Sequence, residues 1–304
     1  MQKNGYKIPI YRAFGLNIQC ELPSAHTFGM ACAGQSVPDV TIRVSDVPVD
    51  LENVFYKDKF ISASSGCILL KIEGIARYLI RDGKEIIIQV EPDAREGDVA
   101  TFAFGSALGT LLYQRGILAF HGSAVLTPKG AVIFTGEKGA GKSTTAAALN
   151  AKGLDFMSDD VCAVYIEDGK PILYPGLSRA KLSIDSYSHI KGYEPAESPL
   201  SPVLKKYGVS FGSCMKPSPL HAICVLEAAV DKPAIRKVSG VERLSLLSRH
   251  IYRPLIYKLI APPSLQFSQC SAVSANAIAM RIYRPADYCM MESFLELLLN
   301  AVLA

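Results

Sequence analysis

The chain has 304 residues, 49% apolar and 20% charged, with a net charge of +4. That length holds one large domain or two ordinary ones with ample core, and the balance excludes a disordered chain. There is no long basic run of the kind duplex-binding domains carry, no apolar signal core at the N-terminus, and no window near the roughly eighteen apolar residues of a membrane span. The expectation is a cytoplasmic protein with no nucleic-acid or membrane partner. Eight cysteines (Cys20, Cys32, Cys67, Cys162, Cys214, Cys224, Cys270 and Cys289) are scattered with no C-x-x-C pair and no clustering with histidine. They read as reduced, mostly buried thiols rather than a zinc site.

In chain order, residues 6–22 alternate loosely and predict strand pieces broken at Pro9 and Gly15. Residues 39–44 predict a half-buried strand, with Asp39, Thr41 and Arg43 on one face and Val40, Ile42 and Val44 on the other. Three more runs follow, 67–72, 75–80 and 85–90, the last two joined by a turn containing Asp82-Gly83, a strong hairpin signal. The first 95 residues thus predict a small, mainly antiparallel β domain, and the polar segment 92–98 marks its boundary with a second domain over 96–304.

From Val99 to Gln114 apolar residues recur at helical spacing, and Gly116 stops the helix. A strand from Ile117 to Thr127 carries His121 and Ser123, and the turn 128–130 returns the chain into a second apolar run, 131–135. That run leads into Gly136-Glu137-Lys138-Gly139-Ala140-Gly141-Lys142-Ser143, which fits G-x-x-x-x-G-K-[ST] at every fixed position; Thr144 and an alanine-rich helix follow. Strand, glycine-rich loop and helix N-terminus form a cradle for a polyphosphate: backbone N–H groups point inward and the helix end adds partial positive charge. Lys142 would reach β and γ oxygens, and the Ser143 hydroxyl would ligate Mg²⁺. The loop residues 136–144 are therefore the candidate site for ATP or another nucleoside triphosphate.

Beyond the loop helix, residues 154–166 predict a strand with Asp159 and Asp160 in its middle. Only one helix and one turn separate these acids from Lys142, so their strand is expected beside the phosphate loop in a parallel sheet. Adjacent strand residues point to opposite sides, so both acids face one point only if the strand ends there. One would accept a hydroxyl proton and the other would hold Mg²⁺, directly or through water. His121, one hairpin before the loop, would hydrogen-bond the catalytic acid or a phosphoryl oxygen. Strands at 172–174, 222–226, 235–238 and 277–282 then alternate with helices at 241–252 and 288–303, and the Pro- and Ser-rich stretch from 194 to 219 reads as a surface loop or lid.

His121-Gly-Ser-Ala-Val, Thr135-Gly-Glu-Lys-Gly-Ala-Gly-Lys-Ser-Thr and Ser158-Asp-Asp-Val resemble the ordered motifs of the HPr kinase/phosphorylase kinase domain, a P-loop α/β domain of HPr kinase/PEP carboxykinase type. The resemblance implies Asp159 as general base with His121 as its partner, Lys142 and Ser143 on phosphate and Mg²⁺, Asp160 as a further metal or water ligand, and a homo-oligomer. Val161 stands where true HPr kinases usually carry an Arg after the paired acids. Tyr11-Arg-Ala-Phe-Gly-Leu, Pro175-Gly-Leu-Ser-Arg-Ala-Lys-Leu and Pro219-Leu-His-Ala-Ile-Cys-Val-Leu-Glu resemble more closely the HPr-kinase-like serine kinases of lasso-peptide and related pathways. Those kinases phosphorylate a C-terminal serine of a precursor peptide. A C-terminal serine brings a carboxylate beside its hydroxyl, and Arg179 and Lys181 are the candidate cations for it, with Arg249 and Arg253 as weaker alternatives. The competing expectations are a kinase acting on HPr or on a small metabolite, and a nucleotide-binding switch without transfer.

Overall fold

The computed structural model describes the chain apart from residues 1–7, 29–30, 33, 35, 184–205, 212–213, 215, 286–287 and 304. Most of the expected surface loop from 194 to 219 lies outside the described residues. The fold is mixed α/β with large sheets, in two compact units, Met1–Gly116 and Ile117–Ala304. Among the described residues no helix is long and apolar enough to cross a membrane.

The first unit is a nine-stranded sheet in the order β3-β1-β2-β4-β9-β8-β7-β6-β5. Its strands are β1 (Ile10–Ala13), β2 (Leu16–Cys20), β3 (Ala31–Cys32), β4 (Val40–Val44), β5 (Tyr56–Lys57), β6 (Ile61–Ser64), β7 (Cys67–Ile72), β8 (Ala76–Arg81) and β9 (Glu85–Val90). Pairing is antiparallel except for β2–β4 and β4–β9. The β8–β9 hairpin turns at Asp82 and Gly83, both with positive φ, where the Asp-Gly signal places it. Leu69, Leu79 and Ile87 pack together with Val47 on one face, and the residues that alternate with them, Ile68, Tyr78, Ile80, Ile86 and Ile88, are buried on the other.

The predicted helix at 99–114 forms as α1 (Glu96–Phe102) and α2 (Leu108–Gln114), joined by a wide π turn over Ala103–Ala107. It belongs to the first unit, so the division falls after Gly116, whereas the sequence places it near 95. The reason is packing. Tyr78 donates its hydroxyl to Val99 O (2.9 Å), Gln114 accepts from Gly83 N (2.9 Å), and Arg115 donates to Gly83 O (2.8 Å).

The second unit is built on β10 (Leu118–Thr127), whose two halves have different partners. His121 and the three residues before it pair with β13 (Val161–Glu167); the half from Gly122 pairs with β11 (Gly130–Gly136) and, on its other edge, with β12 (Asp155–Ser158). β11 lies parallel to β17 (Ser218–Val230), which lies parallel to β19 (Ile278–Pro285), and β18 (Ala234–Val238) closes that edge antiparallel. β14 (Lys170–Tyr174) joins β13 to the start of β17, so β11, β10, β13, β14 and β17 form a closed ring of pairings. The acids' strand β12 therefore lies beside β10, antiparallel to it, and not beside the phosphate-loop strand as expected. A tight hairpin puts β10 on one edge of β11, and β17 holds the other.

Helix α3 (Lys142–Ala151) buries Ala146, Ala147, Ala148 and Leu149 in a core with Phe134, Phe156, Cys224 and Ile282. A ribbon of β15 (Arg179–Ser183) and β16 (Lys206–Ser210) adds Ala180, Leu182 and Val209, and Phe211 beyond it stacks on Phe156 at 4.2 Å. Helices α4 (Gly240–Arg249), α5 (Pro254–Ile260), α6 (Pro263–Asn276) and α7 (Met291–Leu303) complete the unit. The helix expected at 241–252 stops at Arg249, because Ile251 bridges Phe120 and His250 O and Tyr252 N bond to β10. α5 and α6 were not legible: each begins on a proline that reads as a breaker but sits at the first helical position, where its missing N–H costs nothing.

Candidate active site

β11 ends at Gly136, and residues 137–141 loop over into α3, whose N-cap, Gly141, has φ 94°. Gly136 is a glycine for two reasons: φ is 142°, and a Cβ would stand 2.4 Å from Leu226 O of the neighbouring strand. Lys142 folds back and donates its ammonium to Gly136 O (2.9 Å) and Glu137 O (3.1 Å), so the loop wraps its own cation.

β10 supplies the next residues. His121 and Ser123 share a face, two residues apart, and Gly122 between them lies so close to β11 that a Cβ would meet Phe134 O at 2.5 Å. Thr135, the last residue before Gly136, donates to His121 O (2.7 Å) and so ties the histidine's backbone to the phosphate-loop strand.

The acids arrive by register. Ala124 pairs with Ser158 and His121 with Val161, which sets Asp159 and Asp160 opposite Gly122 and Ser123. The expected single strand breaks here into β12 and β13. Asp160 adopts φ 68°, Val161 N bonds back to Asp159 O (2.9 Å), and Ser158 Oγ donates to Val161 O (2.6 Å). Because the strand ends at this corner, both acids face the site.

They have different surroundings. Asp159 is 3% exposed, and its Oδ1 accepts from Ser123 Oγ (2.5 Å) and from Ser143 Oγ of the phosphate loop (2.8 Å). Asp160 has a side chain 29% exposed, with Oδ1 3.3 Å from Nδ1 of His121, itself 41% exposed; the same nitrogen lies 3.1 Å from Asp160 O. The structure thus makes Asp160 the carboxylate partner of His121, where the resemblance implied Asp159. Two oxygen acceptors face Nδ1, which assigns the proton to Nδ1 and leaves Nε2 as a lone pair. Burial lowers the pKa of His250 below its ordinary value; Glu137 and Glu227 oppose the effect, Lys142 and His121 add to it, and the net direction keeps the His250 imidazole neutral at pH 7. Behind the corner, burial first and the two acids second push the Cys162 thiol well up, so it stays protonated.

This donor set fits a magnesium nucleotide. The loop offers backbone N–H groups and Lys142 for phosphate, and a hydroxyl with carboxylates is the hard-oxygen set Mg²⁺ takes. The described residues hold no cluster of three or more His, Cys, Asp or Glu, and Mg²⁺ commonly completes its shell with phosphate oxygens and water.

Of the predicted residues, His121, Lys142, Ser143, Asp159 and Asp160 come together with the loop 136–144. Arg179 leaves the corner two residues after Leu177, whose O accepts from Asp159 N (3.2 Å), but its guanidinium packs across Gly208. Lys181 is described only through its backbone pairing with Gly208. Ser123 was missed as a site residue, although the H-G-S spacing already put it on the face of His121. His250 was missed too, since nothing local marks it.

No protein-family model matches the chain, and no curated protein matches it. Among solved structures the HPr(Ser) kinase/phosphatase from Coxiella burnetii is similar at 15% identity over 61% of this chain and 99% of that one, with a TM-score of 0.29, a likeness on which no part of the site's interpretation rests.

Proposed function

We propose that the chain is a Mg²⁺- and ATP-dependent serine kinase acting on a peptide. The observation that carries this reading is the hydrogen bond from the phosphate-loop Ser143 to Asp159, with the His121–Asp160 pair beside it. A phosphate cradle, an ion-side carboxylate and a proton acceptor are the parts phosphoryl transfer needs. A bound magnesium nucleotide supplies the electrophilic γ-phosphoryl group. Lys142 and the loop amides would bind the phosphates, and Ser143 and Asp159 would hold the ion, directly or through water. The acceptor serine passes its proton to Nε2 of His121, and Asp160 holds the ring by Nδ1 and stabilises the imidazolium. The serine oxygen bonds to phosphorus as the bond to the β-phosphate oxygen breaks.

A second reading keeps Asp159 as the base, because its Oδ1 already receives two serine hydroxyls at 2.5 and 2.8 Å. The peptide acceptor, and a lasso-type precursor ending in serine in particular, is supported by the sequence resemblance alone. The test is incubation with Mg²⁺, ATP and a panel of a precursor peptide ending in serine, its Ser→Ala version, and HPr, read by mass. Gain of a phosphoryl group on the serine peptide alone supports the reading. Gain on HPr alone replaces the substrate, and nucleotide binding without transfer to any of the three favours a switch.

A further inference from the structure

β19 carries two arginines in opposite situations, Arg281 in its middle and Arg284 near its end. Arg281 is held by Glu227 and Glu242, a network that also includes Arg236. Arg284 has no such partner among the described residues, and its Nε is buried without a hydrogen-bond acceptor.

The register shows where Arg284 lies. Gly136, Leu226 and Ile282 stand in line across β11, β17 and β19. Ile282 packs on the face covered by α3, and Arg284, two residues on, continues along that face past the start of the helix. It meets the phosphate loop there: its Cδ and Nε lie 3.6 Å from the Cβ position of Gly141 and its Cζ lies 4.0 Å away. A buried N–H without an acceptor is a costly feature that native proteins keep only for a reason. Beside a loop whose glycines and helix start suit an anion, a phosphate oxygen would supply that acceptor.

We infer that Arg284 is a second fixed cation of the nucleotide site, donating to the phosphate chain from beside Gly141. The inference rests on the nucleotide reading of the phosphate loop. Guanidinium suits the role because it stays charged and can bind two oxygens in one plane.

The test compares wild type with Arg284→Ala, Arg284→Gln and Arg284→Lys by calorimetric titration with Mg-ADP and with Mg-pyrophosphate, which lacks the nucleoside. Loss of charge-assisted bonds predicts binding about 10- to 100-fold weaker for Ala and Gln with both ligands, and partial recovery with Lys. Phenylglyoxal labelling of the wild type covers the case of a misfolded variant: pyrophosphate should protect Arg284 and leave the labelling of exposed Arg253 unchanged. Variants that bind both ligands like wild type, or equal labelling of Arg284 with and without pyrophosphate, overturn the inference alone. Loss for ADP with unchanged pyrophosphate binding overturns the phosphate contact. A wild type that binds neither ligand overturns the nucleotide reading, and this inference falls with it.

Discussion

Exchanging Asp160 for asparagine separates proton transfer from folding. Asp160 sits at φ 68°, a region in which asparagine is comfortable and alanine costs about 1–2 kcal/mol, so Asp160→Asn keeps the corner while removing the charge. The contact it breaks is weak in stability terms: with His121 41% exposed and the nearest approach to Oδ1 3.3 Å, its worth is under about 1 kcal/mol. The catalytic loss is larger, because an amide cannot stabilise the imidazolium. General-base catalysis contributes about 10²- to 10⁴-fold, or about 3 to 5 kcal/mol of activation free energy. The expected result is therefore a kcat at least 100-fold lower, an unfolding midpoint near that of wild type, and unchanged Mg-ADP affinity. Asp159→Asn should behave differently, weakening Mg²⁺-dependent nucleotide binding because it alters the carboxylate that holds Ser143. Peptide phosphorylation by mass, calorimetry and urea unfolding give the three readouts. A kcat within about threefold of wild type for Asp160→Asn, or a pure kcat loss with intact binding for Asp159→Asn, would refute the assignment and make Asp159 the base.

Gly136→Ala should destabilise the second unit by about 2 kcal/mol or more in urea unfolding, since its Cβ would stand 2.4 Å from Leu226 O at a φ of 142°. His250 has a folded pKa below its unfolded value near 6.5. The unfolded chain therefore binds more protons below that pH, and stability present above about pH 6.5 is lost as the pH falls through the folded value. His250→Asn should flatten that part of the stability profile, measured as wild type minus variant across pH 5 to 7.5. Native-state thiol labelling should find exposed Cys289 first and leave Cys162, Cys224 and Cys20 unmodified until unfolding; burial pushes the Cys20 thiol up to about 12. Rapid labelling of Cys162 would show that the corner opens.

How much was legible depended on the range of the interaction. The strands 67–72 and 85–90 could be placed to the residue because each is a short run rich in isoleucine and leucine, closed by its own turn. The phosphate loop was visible because its glycines, Lys142 and Ser143 are neighbours in sequence. α5 and α6 escaped because proline at a helix start and proline as a breaker look alike without a neighbour to pack against. The boundary near 95 moved because what assigns residues 96–114 to the first unit is a set of bonds to Tyr78 and Gly83.

By itself the sequence determined the cradle, the two acids and the histidine as parts, since the backbone conformations and side-chain chemistry they require are local. Only the tertiary structure decided how those parts are arranged. The corner at Asp160, the switch of partners halfway along β10 and the approach of β19 to Gly141 depend on which strands pair. That choice turned Asp159 toward Ser143, gave His121 to Asp160, and brought Arg284 from the far end of the chain to the phosphate loop.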